Sequence, residues 1–180
     1  MSLIAWNDLA GLLVACAPLV APDTAMALIR TESGGNPWAI GVVNNTLARQ
    51  PRSSAEALAT AQFLERNGWD FSVGLGQINR RNFGRLGLTT ESAFEPCSNL
   101  RAMQTILSDC FARAGRAVSK GREPQVATPS EQLQLRRALS CYYSGNFKTG
   151  FTADLRGQAP YVDRVIASWS HNRTRGSPPR

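Results

Sequence analysis

A mainly helical α+β domain with a small, irregular β element is the fold class this sequence predicts. Three observations carry the prediction. Apolar residues recur at helical spacing in one segment after another, two short stretches are extended and broken by glycine, and neither a repeat nor an interdomain linker interrupts the chain. With 180 residues and 43% hydrophobic content, the chain can bury a real core as a single domain.

The elements follow in order. Leu9 to Val20 is apolar enough to imitate the core of a signal peptide, but it lacks a basic start and Asp8 stands just before it. Residues 1–22 therefore read as a packed helix or a leader remnant. Pro22-Asp23 opens a helix with Ala25, Leu28 and Ile29 on one face, and Gly34-Gly35-Asn36-Pro37 stops it. Ser53 and Glu56 make a capping-box pattern ahead of Ala57, Leu58, Ala61 and Leu64, and Asn67-Gly68 closes that helix. Between these two helices Ala39 to Val43 can be extended. Phe71 to Ile78 is the second such stretch. A third helix starts at Cys97 and carries Leu100, Met103, Leu107 and Cys110 on one side; a long loop is expected from Gly115 to Pro129. A fourth runs from about Ser130 to Tyr143, burying Leu135, Ala138, Leu139 and Tyr142. Pro160 begins the last, through Val162, Val165, Ile166 and Trp169. The organisation expected is a domain over 23–169 and a flexible basic tail over 170–180, polar and rich in Arg and Pro.

Charge narrows the function classes. The net charge is +7, but the Lys and Arg residues are scattered, with Arg80-Arg81 and Arg136-Arg137 the adjacent basic pairs and no aromatic interleaving. That pattern argues against a nucleic-acid binder and suits any acidic polymer. No run of about 18 apolar residues exists, so no membrane span is expected. The sole histidine, His171, lies in the tail, so neither a His-based metal site nor a catalytic triad is expected, and no cofactor is implied.

Three segments could carry chemistry. Glu32 follows Leu28 by four positions and Ile29 by three, which places it on the apolar face of its helix, at the end that meets a glycine turn. A carboxyl in a partly apolar setting near a helix C-terminus is harder to ionise, and a protonated acid is what glycosidic cleavage requires. Spacing alone favours a Glu that pairs with Arg30 or reaches solvent. Next comes Ser72-Val73-Gly74-Leu75-Gly76-Gln77-Ile78-Asn79. Its glycines permit close backbone approach, and Gln77 and Asn79 offer amides suited to sugar hydroxyls and N-acetyl groups; a bulged hairpin fits too. It fails as a phosphate loop because Asn79 stands where a third glycine is needed. Last is Tyr142-Tyr143-Ser144-Gly145-Asn146, which reads as a cleft wall or as a glycine-capped helix end with a core tyrosine.

Taken together, Ile29-Arg30-Thr31-Glu32-Ser33-Gly34-Gly35-Asn36-Pro37, Val73-Gly74-Leu75-Gly76-Gln77-Ile78-Asn79 and Tyr143-Ser144-Gly145-Asn146 resemble, in order and separation, the soluble-lytic-transglycosylase domain. The resemblance is to its VirB1-like branch, associated with type IV secretion and conjugation, and covers roughly Asp23 to Ser168. It implies a lysozyme-like fold of the goose type. It also implies a non-hydrolytic cut of the β-1,4 bond between N-acetylmuramic acid and N-acetylglucosamine in peptidoglycan, in the periplasm, with Glu32 as the catalytic acid and then base. Ser33, Ser72, Gly76, Gln77, Asn79, Tyr143 and Asn146 correspond to substrate-binding positions. Glycan strands, and subunits of a secretion or conjugation apparatus, are the implied partners. One departure stands out: many relatives read Ala-Tyr-Asn at the third motif, and Ser144 occupies the Asn position here. The competing readings are a lysozyme-type hydrolase, with Asp70 or another acid activating water, and a non-catalytic glycan-binding component.

Four cysteines lack the close spacings of zinc or redox sites and read as two disulfides or as four buried thiols. Cys97 and Cys110 lie 13 positions apart on one helix, roughly 20 Å, too far to join. If Cys110 ends the third helix and the fourth folds back on it, the pairs are Cys97–Cys141 and Cys16–Cys110.

Overall fold

In a computed structural model, residues 4–120, 131–153 and 157–175 are described. The chain divides into two units, Met1–Met103 and Gln104–Arg180. Among the described residues no helix is long and apolar enough to cross a membrane.

The first unit begins with α1 (Trp6–Cys16), so the apolar N-terminal stretch is a packed helix that buries Leu9, Leu13 and Cys16 and lies on α2. Helix α2 (Pro22–Glu32) has proline in its first turn, where the missing N–H costs nothing, and sinks Ala25, Leu28 and Ile29 completely. Helix α3 (Ser54–Arg66) is capped as expected: the Ser53 hydroxyl accepts the Glu56 N–H at 3.2 Å. The Glu56 carboxylate reaches back to the Arg52 N–H and also binds Arg49.

Both extended stretches join one sheet. Strands β1 (Ile40–Val42), β2 (Phe71–Val73) and β3 (Ile78–Asn79) run antiparallel in that order, with Ile40 opposite Val73 and Ser72 opposite Asn79. Phe71, Val73, Leu75 and Ile78 face the core. The free edge of β1 is closed by a side chain: the Gln50 amide accepts from Ile40 N and donates to Ile40 O, both at 2.9 Å. Short helical turns, with α4 (Phe83–Leu86) among them, lead to α5 (Pro96–Lys120).

In the second unit the rest of α5 meets α6 (Glu131–Ser144), and a 3-10 turn at Thr149–Phe151 precedes α7 (Tyr161–Arg175), which packs on α6. Ala138 and Leu139 are buried, while Leu135 and Tyr142 are half-buried. Two expectations change here. Helix α5 runs through Gly115 to Lys120, so the loop expected from Gly115 does not begin there, and its residues 121–130 lie outside the described ones. Helix α7 continues past His171, into the stretch expected to be tail; residues 176–180 lie outside the described ones.

The length of α5 also corrects the disulfides. The bonds are Cys16–Cys97 and Cys110–Cys141, not the expected Cys97–Cys141 and Cys16–Cys110. The two helices do run antiparallel, but α5 ends later than expected. Because α5 continues to Lys120, Cys110 and Cys141 stand equally far from the two facing helix ends, and the fold-back brings them together. The Gln134 amide donating to the Phe111 carbonyl at 2.8 Å fixes the same register. Cys97 in the first turn of α5 then joins Cys16 at the end of α1.

Candidate active site

Glu32 is the last residue of α2 and is half-buried. The backbone turns sharply behind it. Ser33 and Gly34 both donate to the Ile29 carbonyl, and Gly34 and Gly35 take positive φ of 62° and 84°, which glycine adopts without steric cost. Ser33 then makes the tie that matters most. Its hydroxyl donates to the Leu75 carbonyl at 2.8 Å and accepts the Gly35 N–H at 3.3 Å. The residue after Glu32 is thereby fastened to the middle of the Gly74–Gln77 turn between β2 and β3.

That turn is held from below by a residue the sequence reading missed. Asn99, on α5 and fully buried, accepts the Gly76 N–H at 2.8 Å and donates to the Val73 and Ala93 carbonyls at 3.0 and 2.7 Å. Gly74 has φ 79°, and a Cβ there would run into the Asn99 amide. The available signal was a polar residue four positions before Met103 and eight before Leu107, on the buried stripe of its helix.

The expected amide donors are otherwise engaged. Gln77 sits at φ 48°, an unusual conformation for a residue with a Cβ. Its Nε2 donates to Ala39 O at 3.1 Å and Gly74 O at 3.0 Å. Its Oε1 lies where a side chain at Gly41 would be, 2.7 Å from that Cβ position, so Gly41 and Gln77 fit as a pair. Asn79 donates to Asp70 Oδ1 at 2.9 Å and to Ser72 Oγ at 3.4 Å, and accepts the Arg81 N–H at 2.9 Å. Asp70 in turn binds Arg81 at 2.8 Å. Ser72 is half-buried and Gly76 buried.

Glu32, Ser33, Ser72, Gly76, Gln77 and Asn79 thus sit within one construction around the glycine turn. The other two expected site residues belong to the second unit. Tyr143 is 45% exposed and stacks on Tyr161, with ring centroids 4.5 Å apart. Asn146 accepts from the Lys148 and Thr149 N–H groups at 2.9 Å and organises its own loop. Buried Ser140 supports it, donating to the Asn146 carbonyl and accepting the Gly150 N–H.

Comparison with known proteins identifies the family. Residues 14–161 match the family described as "Transglycosylase SLT domain". The chain is 49% identical over 154 residues to the "Type IV secretion system protein virB1" of Brucella abortus biovar 1, covering 85% of this chain and 60% of that protein. It is 37% identical over 138 residues to "Protein virB1" of Agrobacterium fabrum, covering 76% of this chain and 51% of that one. The chain therefore spans between half and three fifths of the length of these relatives. No solved structure matches it.

Proposed function

Because this chain belongs to the transglycosylase SLT domain family, we propose that it is a lytic transglycosylase of peptidoglycan, with Glu32 as its catalytic residue. The observation that carries the reading is the Ser33–Leu75 hydrogen bond, which seats the end of α2 against the glycine turn. An acid so held reaches the substrate from a fixed direction, and fixed direction is most of what general acid catalysis needs from a protein.

The reaction proceeds in two proton transfers. Glu32 gives its proton to the bridging oxygen as the bond from that oxygen to C1 of N-acetylmuramic acid breaks. The N-acetyl carbonyl oxygen bonds C1 transiently. The Glu32 carboxylate then takes the proton of the muramic 6-hydroxyl, whose oxygen displaces the acetamido oxygen at C1 and closes a 1,6-anhydro ring. The proton lost in the first step is regained in the second, and no water is consumed.

Such a route needs no second carboxylate. Asp70, the nearest candidate in sequence, has one oxygen on Asn79 and the other on Arg81, which disfavours it as the base of a hydrolase. The other site residues divide by what they already bind. Gln77 and Asn79 shape the glycine turn through main-chain and side-chain bonds, Asn146 shapes its own loop in the second unit, and the exposed Tyr143 offers a ring to sugar. The Brucella relative's name, a type IV secretion system protein, supports a role beside such a system, with the wall opened locally. Two disulfides fit an oxidising compartment outside the cytoplasm, such as the periplasm. Mass spectrometry of digested peptidoglycan tests the chemistry: the expected fragments end in anhydromuramic acid, one water lighter than reducing ends. Reducing ends would overturn it.

A further inference from the structure

The family match begins at residue 14, yet residues well before it reach the turn behind Glu32. Ile4 donates its N–H to the Gly35 carbonyl at 3.3 Å. The half-buried Trp6 ring lies 3.4 Å from where a Cβ at Gly35 would stand, so the indole packs against the turn at van der Waals distance. The same ring carries the Arg30 guanidinium 4.5 Å from its centroid. Arg30 Nε is buried and finds no hydrogen-bond partner among the described residues, so the aromatic face is a substantial part of what the cation gains in that place.

Trp6 therefore touches the chain on both sides of Glu32: Arg30 two residues before it, and Gly35 three residues after. Ser33 fastens this stretch to Leu75 from one direction, and Trp6 closes it from the other. Gly34 and Gly35, both at positive φ, lie in the stretch braced from these two directions. We infer that Trp6 is a positioning residue for Glu32, so that residues 4–6, outside the family-matched region, are part of the working site. This rests on the assignment of Glu32 as the acid. Trp6 acts through the turn, without contact to the sugar.

The test uses the full chain with Trp6→Ala, Trp6→Phe and, as a control on the exposed side of the same helix, Val14→Ala. The expected result for Trp6→Ala is a fall in kcat of about tenfold, the scale of a sub-ångström misplacement, with KM within about twofold of wild type. Trp6→Phe keeps a ring for Arg30 and should recover most of the loss; Val14→Ala should change neither constant. Gly34 and Gly35 proton resonances, shifted by the indole ring current, should move in Trp6→Ala. An unchanged kcat per folded molecule, or a rise in KM that exceeds the fall in kcat, would overturn the inference; the latter would mean direct contact with glycan. A wild-type chain that cuts no glycan would sink the functional reading instead. In that case the two glycine resonances decide alone, and their indifference to Trp6→Ala would refute the brace.

Discussion

Replacing Asn99 by alanine removes three hydrogen bonds at once from a fully buried position. Each such bond contributes about 1 kcal/mol net, and stranding a buried partner costs about as much or more, so the expected loss of stability is about 3 kcal/mol. For a chain of this size that lowers the melting temperature by roughly 6–12 °C. Thermal unfolding followed by circular dichroism measures it directly. Asn99→Asp adds a discriminating arm. It keeps an acceptor for the Gly76 N–H but replaces the two donated bonds with a carboxylate facing the Val73 and Ala93 carbonyls, so at neutral pH it should do no better than alanine. Either variant melting within about 2 °C of wild type would refute the claim that Asn99 organises the glycine turn.

The other predictions are more local. Removing Cys16–Cys97 by paired Ala substitution should cost about 4.5 kcal/mol and removing Cys110–Cys141 about 3.7, from loop closure across separations of 81 and 31 residues; peptide mapping under non-reducing conditions that found Cys97 joined to Cys141 would contradict the fold-back of α5 and α6. Gly68→Ala, at φ 71° with open space around it, should cost about 1 kcal/mol of backbone strain. Gly74→Ala adds collision with the Asn99 amide and should cost several times more, so equal melting temperatures would tell against the packing described. The Arg49 hydrogen bond, with a smaller one from Arg52 N–H, holds the Glu56 carboxyl below the usual carboxylate range. Its folded-state pKa is depressed, so the stabilisation is present above the ordinary Glu value and is lost as pH falls through the folded one. Glu56→Gln should therefore lower the melting temperature at pH ~7 and converge on wild type in acid; a gap that persisted in acid would contradict the assignment.

How far the residues announced this structure depends on the kind of information asked for. Helical periodicity and caps placed α2, α3 and α6 nearly to the residue, because Pro22, Ser53 and Gly145 act locally on the backbone. The small sheet was visible as two extended stretches, since glycine breaks are local too. Gly115 misled. It reads as a stop signal, yet α5 passes through it, and the Gln134 side chain, a neighbour far along the chain, packs where a Cβ would be. The disulfide error followed from that one helix end. In the site, Glu32 and Ser33 stand out through the resemblance of their motif, whereas the partners of Gln77, Asn79 and Asn146 could not be read at all. An amide that looks available to a ligand is also available to a carbonyl a few ångströms away, and here the protein takes most of that capacity itself. Asn99 and Trp6 were silent for the same reason: their significance is entirely in what folding sets beside them.

If one carboxyl at the end of α2 does the proton work, Glu32→Gln abolishes it. The substitution keeps size and shape while removing the transferable proton. Folded protein of matched melting temperature is given purified peptidoglycan strands, and the release of anhydro-ended fragments is timed. The expected rate is at least about a hundredfold below wild type, the scale of general acid–base catalysis, with glycan still retained by the protein. Fragments released by Glu32→Gln at a rate near that of wild type would contradict it.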